Sequence, residues 1–413
     1  MRALLRRQRE FRRLWAGQTI SLFGDQVTAV ALPLAAVLVL DASAAEMGVL
    51  AAAAWLPYLL FSLAAALWVD RRARRKLVLV AGDLGRALVL VTVPLAFALD
   101  AVTVEHLIAA AFLVGAFSTV FGAAYSAFFV RLVPRADVVE ANGVLSVSRS
   151  VSFVGGPPAA GFLVQALGAP VALLVDALSF VGSALFVGRI RIDEPPVETA
   201  EMEGARRRLA EGFRFLFGHP TLRASLGCAA TVNLFNFVFH AIVVLFTARE
   251  LGLSPALIGL VLGVGAVGGI VGASLGPAIG RRMGLGPAIV LGSVLFPAPL
   301  VLFPLAGGPR PVVIAMLFAG EFLAGFGVMV FDIHANSLAV LSTPEPMRPR
   351  QYAVFTTINY GVRPIGALAG GFLGAAIGLR PTLLIGAVGA CLGVLWLLPS
   401  PVPALREVPA EAA

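Results

Sequence analysis

Charge is scarce in this chain. Asp, Glu, Lys and Arg make up only 13% of 413 residues, and the mean hydropathy is +0.92. A water-soluble domain carries about 25% charged residues, so a soluble globular fold is excluded. Cysteine is nearly absent. Cys228 and Cys391 both fall in apolar segments and form no CxxC, which excludes a disulfide framework and a thiolate zinc site. His106, His219, His240 and His334 show no HExxH spacing, so no metal is expected. No nucleophile–base set is visible, and neither an enzyme nor a cofactor is expected. The GxGxxG at 263–268 lies inside an apolar run with no strand before it. Close helix packing explains it better than a dinucleotide. Lysine occurs once, at Lys76, against thirty arginines, as in a GC-rich genome.

Long apolar runs fill the chain instead. Uncharged or nearly uncharged stretches of about 18 residues or more read as membrane-spanning helices. Twelve are predicted, at 14–38, 47–69, 77–99, 104–130, 143–167, 171–188, 222–248, 256–279, 287–304, 312–334, 353–377 and 381–398. The basic start MRALLRRQREFRRLW resembles the head of a signal peptide. The run that follows is long and contains Asp25, so a retained first helix is expected.

Arginine placement gives an orientation. Twenty-five of the 31 basic residues lie in alternate loops and the terminal segments, three lie in the other loops, and Arg86, Arg149 and Arg363 lie within runs. The bias towards cytoplasmic loops then puts both termini in the cytoplasm. It also accounts for the net charge of +8 without a nucleic-acid partner.

The halves repeat weakly. At an offset of 210 residues, Arg71-Arg72 meets Arg281-Arg282, Pro134 meets Pro344, and Gly156 meets Gly366. Gly161-Phe162-Leu163 meets Gly371-Phe372-Leu373, and Gly168 meets Gly378. The polar stretch 193–214, with Pro195-Pro196 and Arg206-Arg207-Arg208, divides the halves and suits a linker with an amphipathic helix. The expected organisation is a six-helix bundle at 1–190, a cytoplasmic linker at 191–221 and a second bundle at 222–413. Duplicated six-helix halves are a transporter plan.

The densest charge run, Asp70-Arg71-Arg72-Ala73-Arg74-Arg75-Lys76, separates the second and third apolar runs. With Ala66 before it, this loop resembles the G-x-x-x-D-R-x-G-R-R motif of the major facilitator superfamily, both glycines being alanine here. The stretch 133–180, with Ala141-Asn142, Arg149, Gly156-Pro157, Gly161 and Asp176-Ala177-Leu178-Ser179-Phe180, is similar to the subgroup of macrolide efflux pumps and the enterobactin exporter. Asp25 and the Asp83/Arg86 pair fit that subgroup too. The resemblance implies an all-α integral membrane protein of twelve helices in two pseudo-symmetric bundles. It implies a secondary transporter in a bacterial cytoplasmic membrane, exporting a hydrophobic or amphipathic molecule (a drug, macrolide or siderophore-like compound) by proton antiport. An uncoupled facilitator or importer on the same fold, or a non-transporting receptor, is the alternative. Small-molecule substrate, protons and bilayer are the expected partners. No residue pattern specifies an oligomer, so a monomer is the expectation.

Candidate residues follow. Asp25 and Glu321 each lie some ten residues into a run, near mid-membrane at about 1.5 Å per residue. An ionisable group there is costly and functional by default. Asp25 is a proton or substrate-cation site, or half of a structural ion pair. Glu321 is a second carrier or the partner of Arg363, and the resemblance puts both acids on cavity walls. Arg149 anchors an anionic group, neutralises Asp25, or snorkels to the interface. Asn233, Asn236 and His240 share one helix side, as a polar cavity lining or as interhelical glue. Asp332 and His334 read as a solvated gate edge. Gly156, Pro157, Pro158 and Gly161 resemble the antiporter motif and predict a helix kink. Antiporters of the family often carry an arginine in the fourth span, whereas 109–127 has none. By resemblance, Asp70, Arg71, Arg74 and Arg75 form a conformational switch, with Asp70 meeting the start of span eleven and Asp83 and Arg86 bracing it.

Overall fold

The computed structural model describes residues 2–72, 74–194 and 202–406. These form helices α1 (Arg2–Arg7), α2 (Arg9–Leu38), α3 (Ala44–Asp70), α4 (Arg75–Ala98) and α5 (Val104–Leu132). They continue with α6 (Val138–Leu167), α7 (Ala169–Gly188), α8 (Met202–Gly218), α9 (Pro220–Arg249) and α10 (Pro255–Met283). The last are α11 (Leu285–Leu295), α12 (Arg310–Leu341), α13 (Arg348–Ile377), α14 (Leu379–Cys391) and α15 (Val394–Leu397). Among the described residues, eleven helical stretches are long and apolar enough to cross a membrane. The thirty-residue α13 covers the remaining predicted run, and Arg348, Arg350 and Arg363 lower its hydropathy. Asp70's side chain and the predicted linker residues 195–201 lie outside the described residues.

Local chemistry sets the helix ends. Thr103 caps α5 by accepting from the His106 backbone N–H at 3.3 Å. Pro297 and Pro299 withhold backbone donors, so the ninth run leaves the α-helix at Leu295 for a 3-10 turn over Ala298–Leu302. Both prolines of α6 lie within an unbroken helix.

The repeat read from sequence is present in the backbone. Pro134 (φ −56°, ψ 144°) and Pro344 (φ −54°, ψ 143°) each precede a three-residue 3-10 turn that opens a thirty-residue helix. Gly168 (φ 84°) and Gly378 (φ 91°) end those helices. A side chain rarely adopts this left-handed conformation, so glycine stands at both turns.

Two compact units result. The first comprises Met1–Ala42, Ala53–Ala200 and Thr247–Gly263. In it α7 packs on α2 and α4, α2 on α6, and α4 on α5. Phe11, Leu14, Leu79, Phe128 and Val187 fill one core. At that end Asp137 accepts from Arg7 and Gln8, while Glu10 binds Arg13 at 2.9 Å and the Arg191 backbone N–H at 2.8 Å. The second unit comprises Ser43–Ala52, Glu201–Phe246 and Val264–Ala413. There α11 packs on α12, and α13 on α8 and α14. Cys228, Ile289, Phe331 and Leu397 lie in its core.

Candidate functional site

The first unit gathers its intramembrane charges at one point. Arg86 on α4 is 3% exposed. Its guanidinium bonds Asp83 one turn earlier, and its Nη1 lies 3.7 Å from Asp25 Oδ1 on α2. The rings of Phe180 on α7 and Phe121 on α5 lie under the guanidinium, 4.1 and 4.5 Å from its centre. A cation over an aromatic face is held electrostatically as well as by packing.

A third carboxylate completes the group. Asp176 on α7 is fully buried, and its Oδ1 accepts from Ser179 Oγ at 2.8 Å. Asp176, Ser179, Phe180 and Ser183 recur at helical spacing on one side of α7, and that helix packs on both α2 and α4. Gly24 makes room. A Cβ at that position would clash with Asp176 Oδ1 and Ser179 Oγ. Asp25 and Asp83 therefore share one guanidinium, with Asp176 beside Gly24 on the neighbouring α7. Asp83 and Asp176 are closed off, whereas Asp25 keeps 38% of its side chain accessible.

The grouping differs from the sequence-based one. Asp83 and Arg86 stand with Asp25 rather than bracing the charged loop, because α4 carries them two to three turns away from Arg75. Arg86, not Arg149, is the cation beside Asp25. Arg149 is exposed on α6, next to Ser148, whose hydroxyl accepts from Trp15 and Thr19 at 2.9 Å. In the loop, Arg71 and Arg74 are exposed, Arg75 is buried, and Arg72 lies over Trp68 at 4.6 Å. Lys76 ties the loop to Ile190 and Glu194, at 3.2 and 2.9 Å. Gly156 lies against Gln26 of α2, and Gly161 against Pro255 and Gly259.

The second unit holds a different set. Glu321 on α12 is 8% exposed, faces Gly265 of α10, and leaves Oε1 without a hydrogen-bond partner among the described residues. Arg363 on α13 stacks over Tyr360 and Phe237, at 4.1 and 5.1 Å. Phe237 and Phe239 flank the His240 ring at 6.4 and 5.6 Å. Asn233 donates back to Ala229 at 3.1 Å within α9, while Asn236 is buried with Oδ1 unbonded. The Asn233 bond stays within one helix and is not interhelical glue. His334 is buried, with Nδ1 at 2.7 Å from the Val330 carbonyl, so it is not a solvated edge.

The repeat thus does not duplicate the intramembrane charges of these two sets. Residues 210 positions after Asp25, Asp83, Arg86 and Asp176 are Phe235, Ser293, Phe296 and Gly386, and Ala111 corresponds to Glu321. An acid cluster in one half and an arginine–aromatic recess in the other, on duplicated helices of membrane-spanning length, are a transporter's parts. The family profile of the Major Facilitator Superfamily matches residues 14–367 and 226–413. The chain belongs to that superfamily. It is a multi-pass membrane transporter.

Similarity runs along its length. The Multidrug efflux pump Tap of Mycobacterium tuberculosis (strain ATCC 25618 / H37Rv) is 28% identical over 400 residues, covering 93% of this chain and 91% of the pump. The MFS-type transporter YfiS of Bacillus subtilis (strain 168) is 25% identical over 406 residues, covering 96% and 94%. Among solved structures, a bacterial homologue of the iron transporter ferroportin superposes with TM-score 0.76 at 17% identity, over 95% of this chain and 98% of that one. This likeness shows the fold.

Asp176 is the site residue that sequence reasoning passed over. It was read only as part of a family-like motif. Its signal was available, as the one charged residue in the run 171–188.

Proposed function

We propose that this transporter exports hydrophobic or amphipathic small molecules across a bacterial cytoplasmic membrane by proton antiport, with Asp25 as the first proton carrier and Glu321 the second. One observation carries the reading. Asp25 and Asp83 compete for a single buried guanidinium, and Asp25 is the member whose side chain keeps 38% of its surface accessible. A proton on Asp25 cancels its attraction to Arg86, which then rests on Asp83 alone. Departure of that proton restores the attraction. Proton occupancy therefore biases where α2 sits against α4 and α7, which is what coupling requires. Two carboxylates on one cation make that bias large, because uncompensated charge is costly away from water.

Substrate recognition falls to Asn236, His240 and Arg363, with Asn233 beside them. Aromatic rings there hold the apolar body of a substrate, and the guanidinium and amide orient its polar end. The efflux direction draws on the relative named a multidrug efflux pump. Bundles at 1–190 and 222–413, joined through 191–221, alternate access, with both termini cytoplasmic and the protein acting as a monomer. The loop Asp70, Arg71, Arg74 and Arg75 serves as the cytoplasmic switch, and the Gly156-Pro157-Pro158 to Gly161 segment as the bend that seals the other side.

Proteoliposomes with an imposed pH gradient test this. An outwardly transported dye or macrolide is expected to follow the gradient. Asp25→Asn is expected to abolish gradient-driven transport while keeping substrate exchange. Saturable flux that ignores the gradient in the wild type would leave an uncoupled facilitator.

A further inference from the structure

Among the described side chains of the linker helix α8, some are buried against protein and others are exposed. Its sequence, MEGARRRLAEGFRFLFG, holds four arginines and two glutamates. Gly212 and Leu216 form the covered face. Leu216 is fully buried with Leu222, Leu226 and Val354, and Gly212 sits against the Arg350 carbonyl at the start of α13. Glu211 holds this seam together, accepting from Arg207 at 3.0 Å and from Arg350 at 2.6 Å.

A quarter turn round the helix lie Phe213 and Phe217. They are four residues apart and hence on one side. Their rings are parallel with centroids 6.0 Å apart, and they remain 36% and 45% exposed. A further quarter turn brings Arg207 and Arg214. Seven residues apart, they also share a side, and both are exposed. A strip of stacked aromatic rings bordered by arginines is the pattern of a helix lying in a membrane interface.

Position decides between a bilayer and a soluble partner. Only His219 separates α8 from α9, a helix of membrane-spanning length that opens at Pro220. Phe217 is thus three residues from the start of a span. The arginine bias of the loops puts this end at the cytoplasmic leaflet, whose anionic lipids attract basic segments.

We infer that α8 docks on the anionic phospholipid surface of the cytoplasmic leaflet, with Phe213 and Phe217 in the acyl boundary and Arg207 and Arg214 on the headgroup phosphates. The Glu211–Arg350 bond then ties that docked helix to α13. Lipid charge is in this way linked to the position of a membrane-spanning helix, whatever the substrate carried.

The full-length protein in nanodiscs tests this by two readouts. Hydrogen exchange of residues 207–218 in the unmodified protein is expected to slow in phosphatidylglycerol relative to phosphatidylcholine. Arg207→Gln with Arg214→Gln is expected to remove that difference, roughly thirtyfold in the docked ratio at low salt. Spin labels at Phe213→Cys and Phe217→Cys, with Cys228 and Cys391 replaced by serine, are expected to be reached by oxygen and shielded from a water-soluble relaxant. A label at Arg214→Cys is expected to show the reverse. Exchange rates equal in the two lipids, or labels at 213 and 217 open to water, would overturn the proposal and leave that face to a soluble partner.

Discussion

Arg86→Met is the sharpest single perturbation of the acid cluster. Methionine keeps much of the side-chain length and its packing over Phe121 and Phe180 while removing the cation that Asp25 and Asp83 share. Unit charges 3.7 Å apart interact by about 4 kcal/mol at an effective dielectric of 20. Asp25 keeps 38% of its side chain accessible, so its share is discounted. Asp83 is fully buried, and stripping the partner from a buried pair costs about 3–5 kcal/mol. That range is the expected loss for the variant at neutral pH. Two controls follow from the cause. Adding Asp83→Asn to Arg86→Met is expected to recover about 2 kcal/mol or more, since the abandoned charge is then gone. Acidic buffer is expected to shrink the single variant's deficit, since a neutral carboxyl needs no cation. Thermal unfolding in detergent, followed by intrinsic fluorescence, measures all three. A variant as stable as the wild type, or a deficit that neither acid nor Asp83→Asn relieves, would refute the shared-guanidinium account.

Gly24→Ala places a methyl in clash with Asp176 Oδ1 and Ser179 Oγ. It is expected to destabilise by about 1–3 kcal/mol and to be relieved by Asp176→Ala, as a double-mutant cycle would show. Glu321 has an unbonded buried Oε1. Glu321→Leu is therefore expected to leave thermal stability unchanged or raised, while Glu321→Gln alters gradient-driven transport, read in proteoliposomes. Glu211 lies outside the spans, and the hydrogen bond from Arg207, with the Arg350 charge, holds its carboxyl below the ordinary glutamate range. A carboxyl depressed in the folded state contributes stability above its unfolded range, and that contribution is lost as pH falls through the folded one. The protection of α8 amides, taken relative to their intrinsic exchange rates, is accordingly expected to fall only at acid pH, and Glu211→Gln to remove that pH dependence.

Periodicity and composition were sufficient for the large features. Apolar runs must be helices in lipid, because each backbone donor and acceptor has to be satisfied within its own segment. Their ends and the half-to-half offset were therefore legible from Pro134 and Pro344 and from Gly168 and Gly378, residues that dictate local backbone whatever surrounds them. The broken ninth helix was legible in principle too, from Pro297 and Pro299. The candidate site was legible only as separate members. Asp25 and Glu321 stood out because a charge in an apolar run is conspicuous.

Partners were not legible, since a span shows its depth in the sequence but not its rotation about its own axis. Asp83 and Arg86 were assigned to the nearby loop by proximity along the chain, yet α4 turns them onto Asp25. Asp176 lies 151 positions after Asp25, and only the packing of α7 on α2 brings it beside Gly24. Arg363 faced Glu321 by depth and joined Tyr360, Phe237 and His240 by rotation. Composition and periodicity alone specify a twelve-run, duplicated, arginine-biased membrane chain, because burial in lipid and local backbone sterics act residue by residue. Which charges meet was decided by tertiary structure alone, because ion pairing depends on side-chain direction over a few ångströms, and helix packing sets that direction.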